Sequence, residues 1–179
     1  MKTTSESKKN KFQKSETAKP ESAAPLVKVE RLFQAPIEKL WQAWSHGELI
    51  EQWWGPEGYS CPEAKVDFRQ GGKYLLAMQA PDRKISWSGG VYKEIIPYDK
   101  IVCTDQFTDA KGQAVSAKDY GMPGEWPESL TVIVTFEKVS EAETRMVLFH
   151  EGIPGELQED CFQGWNSSLD KLQRLVEQH

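Results

Sequence analysis

The chain has 179 residues and a formal net charge of −5 at neutral pH. Residues 1–25 hold six lysines and three glutamates, so this segment carries +3 and the remainder carries −8. An acidic body excludes nucleic acid as the main partner, because contacts with phosphates need a basic surface. The remainder has the size of one domain with one hydrophobic core.

The N-terminal segment differs from the rest of the chain in composition. Residues 1–25 are rich in Lys, Ser, Thr and Glu and offer little apolar surface to bury, which predicts a disordered tail before a domain at 26–179. The segment has no apolar core typical of a secretory signal, and no run approaches the roughly 20 apolar residues of a membrane span. Cys61, Cys103 and Cys161 form no CxxC pair, which predicts neither a zinc site nor a disulfide framework and favours a cytoplasmic location.

The first elements of the predicted domain are one strand and two short helices. Apolar residues alternate from Leu26 to Phe33, which predicts a strand. Pro36 then suits the start of a helix, where its missing N–H costs nothing. Apolar residues at helical spacing break near His46-Gly47 and resume as far as Trp53-Trp54, so two helices in tandem are predicted. Their tryptophans are most simply interpreted as core packing.

Strands predominate in the middle of the chain and a helix ends it. The connections between these strands are too short for parallel crossovers, so the predicted sheet is antiparallel. The connection 108–129 is long and carries Met122 and Trp126, and we expect it to form a lid over one mouth of a cavity. Apolar residues from Leu157 to Val176 keep a helical period and predict the final helix. The alternating patterns predict strands at 64–69, 74–78, 85–96, 101–107, 130–136 and 146–150.

Several short motifs follow one another in a specific order. Together they resemble the family named for the C-terminal domain of the activator of heat-shock-protein-90 ATPase, within the START-like, or SRPBCC, superfamily. The resemblance covers nearly all of residues 26–176. The motifs are Phe33-Gln34-Ala35-Pro36, Trp53-Trp54-Gly55-Pro56, Asp67 with Arg69 and Gly71-Gly72, Gly90 through Ile95, Thr144 through Gly152, and Gly164-Trp165 with Leu169 and Leu172.

The resemblance implies an α+β helix-grip fold, in which a curved antiparallel sheet wraps around a long C-terminal helix and leaves a cavity between them. It also implies binding of a small hydrophobic or amphipathic molecule. The sequence itself predicts no cofactor and no metal site, since metal sites need three or four converging ligands. The inward faces of the predicted strands and helix supply the candidate ligand-binding residues, which are Tyr74, Leu76, Met78, Trp87, Phe107, Val132, Val134, Leu148, His150, Trp165 and Leu169.

No catalytic residue is identified from the sequence. His150 is the one credible acid–base group, but no nucleophile can be paired with it by sequence position. Asp67 and Arg69 share one face of a strand, and such a pair most often stabilises a hairpin. Two alternatives to ligand binding stay open: a co-chaperone that interacts with the heat-shock-protein-90 chaperone, and an enzyme of the cyclase or aromatase type.

Overall fold

A curved sheet of seven antiparallel strands forms the larger layer of the fold. The computed structural model describes residues 26–178, so the predicted tail lies outside the described residues. The strands follow the spatial order β1-β7-β6-β5-β4-β3-β2, with each neighbouring pair antiparallel. They are β1 (Leu26–Phe33), β2 (Ala64–Val66), β3 (Lys73–Gln79), β4 (Ile85–Ile96), β5 (Lys100–Thr108), β6 (Leu130–Ser140) and β7 (Glu143–Glu151).

Three helices form the second layer. Helix α1 (Ile37–Ser45) begins directly after Pro36, and α2 (Gly47–Trp53) follows after His46 alone. Helix α3 (Gln158–Val176) begins with acidic residues in its first turn and has Arg174 in its last, which suits the helix dipole. This arrangement confirms the predicted helix-grip fold.

Several strand bounds differ from the predicted ones: β6 runs on to Ser140 rather than ending at 136, and β7 begins at Glu143 rather than at 146. Strand β2 ends at Val66 rather than Arg69, because Asp67 turns the chain and accepts hydrogen bonds from the Arg69 side chain. The long connection contains a short 3-10 helix, Ala117–Tyr120, which the sequence analysis did not identify. Ser116 and Asp119 form a capping box that starts this turn.

The core fills the space between the concave face of the sheet and the helices. Strand β7 points Met146, Leu148 and His150 into this space, whereas Val147 and Phe149 lie on its other face. Leu169 and Leu172 of α3 pack against them from the helix layer and are fully buried. No helix within residues 26–178 is long and apolar enough to cross a membrane.

Candidate functional site

A cavity lies between the concave face of the sheet and all three helices. Its volume is about 40 Å³, counted as space open to the centres of water-sized molecules. One water needs about 10–15 Å³ by this measure, so the cavity has room for about three. Six of the lining residues are aromatic and one is charged. The lining consists of Trp44, Ile50, Trp53, Trp54, Tyr74, Leu76, Tyr92, Ile101, Cys103, Asp105, Val132, Val134 and Trp165.

Four tryptophans form the helix side of the cavity and contact each other in a closed ring. Trp44 lies 4.8 Å from Trp53, measured between ring centroids, and Trp53 lies 5.6 Å from Trp54. Trp54 meets Trp165 edge to face at 5.4 Å, and Trp165 stacks nearly parallel to Trp44 at 6.3 Å. Large aromatic rings in this arrangement offer flat apolar surfaces for another ring.

The chain after α2 is fastened to α3, and this fixes Trp54 in the cavity wall. Lys171 of α3 donates hydrogen bonds to the carbonyl oxygens of Gly55 at 3.0 Å and Tyr59 at 3.1 Å, and more weakly to that of Trp54 at 3.5 Å. Gly55 has a φ of +90°, a conformation that glycine adopts without steric cost. The Trp-Gly-Pro motif therefore ends a helix and also positions one ring of the cavity.

The sheet side of the cavity combines apolar side chains with a few polar groups. Tyr74 donates a hydrogen bond of 2.6 Å to the carbonyl oxygen of Thr104, and its hydroxyl lies 3.5 Å from Asp105. Burial, followed by the neighbouring Asp105 carboxylate, raises the pKa of Cys103 to about 12, so this thiol stays protonated. Asp105 is thus the charged group that a molecule in the cavity would meet.

His150 lies directly behind this wall and contacts the side chains of Asp105, Cys161 and Trp165. The indole N–H of Trp165 donates a hydrogen bond to His150 Nδ1 at 3.1 Å. The Cys161 sulfur lies 3.7 Å from the same nitrogen. On the other side of the ring, Nε2 is 3.2 Å from Asp105 Oδ2, within ion-pair distance but without an aligned hydrogen bond in the described part of the chain. A carboxylate, an imidazole and a thiol therefore lie in a row.

The protonation of His150 depends on opposing influences from burial and from three neighbouring side chains. Burial is the largest influence on the pKa of His150 and lowers it, but Asp105 and Cys161 together raise it, so that the pKa is about 9. The Trp165 indole acts against this, because it is only a donor and needs a lone pair on Nδ1. Protonation of Nδ1 therefore requires the Trp165 N–H to move away.

Comparison with known proteins identifies the family. A model described as Activator of Hsp90 ATPase homolog 1-like protein (AHSA1) matches residues 34–177. The chain belongs to the AHSA1 family. This result confirms the resemblance seen in the sequence motifs. Comparison with curated proteins gives no match.

Solved structures of bacterial proteins share this AHSA1 fold. A protein from Chromobacterium violaceum is 29% identical, with a TM-score of 0.71 over 86% of this chain and 98% of its own. A protein from Staphylococcus epidermidis is 26% identical, with a TM-score of 0.69 over 89% of this chain and 96% of its own. The AHSA1 protein from Silicibacter pomeroyi is 24% identical, with a TM-score of 0.68 over 84% of this chain and 96% of its own.

The AHSA1 fold brings only some of the predicted ligand-binding residues to the cavity. Tyr74, Leu76, Val132, Val134 and Trp165 line it. The other predicted residues lie elsewhere, so a role for them in binding stays a prediction. Leu148 and Leu169 are fully buried in the core, His150 stands behind the wall, and Met78 packs beneath Gly55.

Trp87 and Phe107 lie outside the cavity for different reasons. Trp87 pairs with Ala77, so it shares the face of β3 and β4 that is opposite to Tyr74 and Leu76. Phe107 is on the inner face but beyond Asp105, where it meets Trp126 edge to face at 5.1 Å.

The predicted lid packs against the segment that leads into α3. A side chain added at Gly124 would meet Pro154 and Glu156, and Trp126 donates a hydrogen bond to the Pro123 carbonyl oxygen at 2.7 Å. Met122 is partly buried in the same connection. Neither Met122 nor Trp126 lines the cavity, and their movement on binding stays a prediction.

Several residues of the cavity were not predicted from the sequence patterns. Trp44, Trp53 and Trp54 were assigned to the core, because helical spacing looks the same for a packed ring and for a cavity wall. Asp105 had a usable signal: it follows Ile101 and Cys103 on the inward face of β5, which is otherwise apolar. The remaining missed residues are Ile50, Tyr92, Ile101 and Cys103.

Proposed function

We propose that this protein binds a small apolar or amphipathic molecule with a planar ring in the tryptophan-lined cavity. The observation that carries the proposal is the ring of Trp44, Trp53, Trp54 and Trp165 around a space with one carboxylate in its wall. Apolar sites with a few polar groups are typical of small-molecule binding. Membership of the AHSA1 family supports it, since such domains generally bind hydrophobic ligands.

Binding requires the helix wall to move. Pockets for drug-sized ligands measure about 300–1,000 Å³, far more than the space present here. The sheet side is held by strand pairing that is interrupted only by a β-bulge between Tyr92 and Glu94 in the β4–β5 pair. Trp54 and Trp165, by contrast, are partly exposed side chains at the junction of α2 and α3. Trp165 and Trp44 are already nearly parallel, at 25°. A small separation of these two rings would admit a flat molecule between them.

Two polar groups would select the ligand. The Asp105 carboxylate accepts hydrogen bonds, and so it favours a hydroxyl, amine or other donor on the ligand. The indole nitrogen of Trp44 is buried and has no hydrogen-bond partner among residues 26–178. An unpaired buried donor costs about 1–3 kcal/mol, which a ligand acceptor would recover. The favoured ligand therefore has a donor and an acceptor on a mainly apolar ring.

Native mass spectrometry of protein purified from its own cells tests the proposal directly, because a retained ligand adds mass. A titration with an apolar fluorescent probe tests the site. Val132→Phe places a ring in the cavity and should weaken probe binding at least ten-fold. Ile133→Phe is the matched control: it is the next residue of β6, faces the opposite side of the sheet, and should leave binding within about two-fold.

The results separate the hypotheses. Equal binding by both variants, or no probe binding and no retained mass in the wild type, would contradict the cavity proposal. The family name also points to a chaperone partner, which would contact a surface rather than the cavity. A pull-down with the chaperone that is unaffected by Val132→Phe would support that alternative. A cytoplasmic location remains part of the proposal, and three free cysteines fit a reducing compartment.

A further inference from the structure

The row of Asp105, His150 and Cys161 has the arrangement of a thiol activated by a histidine. Cys161 is partly exposed near the start of α3, and its sulfur is 3.7 Å from His150 Nδ1. The opposite ring nitrogen faces Asp105 at 3.2 Å. A nucleophile, a base in contact with it and a third group that orients the base are the recurring parts of thiol chemistry. The sequence separates them by 45 and 11 positions, so only the fold brings them together.

Two observations argue against a purely structural cluster. The imidazole is nine-tenths buried, and its Nε2 has no aligned hydrogen-bond partner within residues 26–178. A packed histidine ordinarily satisfies both nitrogens. The contacts from Asp105 to His150 and from His150 to Cys161 also form a line, instead of converging on one point as metal ligands do. Within the described residues, no three side chains are placed to hold a metal ion. The geometry suits proton transfer along the row.

We propose that Cys161 is a nucleophilic thiol that adds to soft electrophiles, with His150 as its base and Asp105 as the positioning residue. The reactant class is a carbon–carbon double bond conjugated to a carbonyl. This inference goes beyond the proposed cavity ligand and does not depend on it, because Cys161 does not line the cavity.

The reaction balances without any other reactant. The step begins from the neutral imidazole with the Trp165 N–H moved off Nδ1. The Cys161 S–H proton then passes to His150 Nδ1, and Asp105 stabilises the resulting imidazolium. The sulfur attacks the β-carbon and forms the C–S bond, while the π electrons of the double bond move to the α-carbon and its carbonyl as an enolate. The imidazolium then returns its proton to the α-carbon. The net change is addition of S–H across the double bond.

Trp165 restrains this chemistry. Its indole N–H donates to Nδ1, the nitrogen that must accept the thiol proton. The two residues lie one helical turn apart on the same face of α3, so both reach His150. Removal of the indole N–H should leave Nδ1 free for Cys161. A Trp165→Phe variant should therefore be more reactive than the wild type, whereas a merely structural cysteine would not respond in this way.

The experiment measures the labelling rate of each cysteine with N-ethylmaleimide, a conjugated alkene, by peptide mapping in the mass spectrometer. We expect Cys161 in the folded protein to react at least three-fold faster than in a synthetic peptide of residues 157–165. His150→Gln and Asp105→Asn should each lower the folded rate at least five-fold, and Trp165→Phe should raise it at least two-fold. Asp105→Asn should also shift the pH profile of labelling to higher pH.

Cys61 and Cys103 report folding in the same sample. Burial, the largest influence on each thiol, raises the pKa of Cys61 to about 11 and of Cys103 to about 12, so both should stay unlabelled while the domain is folded. A variant in which all three cysteines are labelled has unfolded. The two that remain folded among His150→Gln, Asp105→Asn and Trp165→Phe then test the proposal. Folded Cys161 that reacts more slowly than the peptide, or rates unchanged in all folded variants, would overturn the proposal.

Discussion

Trp165 and Leu169 allow a comparison that separates a cavity wall from a solid core. Both lie on the same face of α3, one turn apart. Leu169 has 0% exposure and packs within the core, whereas Trp165 is partly exposed and borders the cavity. Truncation of each to alanine therefore changes the same helix face at two sites of different packing. The comparison is matched for backbone, helix and replacement residue.

We expect truncation of the smaller side chain, Leu169, to cost more unfolding free energy than truncation of the larger Trp165. Leu169→Ala should cost about 3–4 kcal/mol, because removal of a buried leucine loses its transfer energy and leaves a new void. A fully packed tryptophan would cost about 3–5 kcal/mol on truncation. Trp165 already faces solvent and open space, so much of this cost is absent, and loss of its hydrogen bond to His150 adds about 1 kcal/mol. We expect a total of about 2–3 kcal/mol.

Urea unfolding followed by far-UV circular dichroism measures both losses without relying on tryptophan fluorescence. A probe titration run beside it should show altered binding for Trp165→Ala and near wild-type binding for Leu169→Ala. A loss above about 4 kcal/mol for Trp165→Ala, together with no probe binding by the wild type, would refute the cavity interpretation. The domain would then be packed solid, with its function on its surface.

Four other variants test three separate parts of the structure. The pKa of His150 is about 9 in the folded protein against an ordinary 6.5, so its contribution of about 3 kcal/mol to the free energy of unfolding should be complete below pH 6.5 and lost as the pH rises to about 9. His150→Gln should flatten this pH dependence in urea unfolding. A flat profile for the wild type would mean that the Trp165 N–H keeps the ring neutral. Gly164→Ala should stabilise α3 by about 1 kcal/mol, since nothing lies within 4 Å of the added carbon. Gly90→Ala should destabilise the fold, because the added carbon would lie 1.9 Å from the Thr104 carbonyl oxygen. Thermal unfolding of both variants checks the contrast, and equal effects would contradict it. Lys171→Met should lower the free energy of unfolding by about 1–3 kcal/mol and reduce the hydrogen-exchange protection of residues 54–59. Unchanged protection would show that this loop does not need Lys171 for its conformation.

The fold was predictable because its signals are local and agree with each other. Pro36 marks the start of α1, and a single residue, His46, separates two helical patterns that become α1 and α2. Apart from 108–129, the connections between the alternating segments from Ala64 to His150 are too short for parallel crossovers, which predicts antiparallel pairing. Motif order then selected the helix-grip arrangement, which the structure confirms.

The site was less predictable because it depends on register and on contacts between distant elements. Trp87 and Leu76 both follow an apolar alternation, but pairing of Trp87 with Ala77 places it on the opposite face. The β-bulge between Tyr92 and Glu94 changes the register within β4, which alternation alone does not reveal. Cys161 was recognised only as a free thiol, since its approach to His150 depends on how α3 crosses the sheet.

Asp105 connects the cavity with the thiol, and this gives the two proposals a common physical basis. Its carboxylate lines the cavity and also lies 3.2 Å from His150 Nε2. A ligand that donates a hydrogen bond to Asp105 would compete with the imidazole for the same negative charge, and so would weaken the base that serves Cys161. A purely apolar ligand that displaces Trp165 would have the opposite effect, because it removes the indole N–H from Nδ1. The polarity of the molecule in the cavity would thus set the reactivity of a sulfur that it does not touch, with His150 as the shared element whose protonation both sites influence.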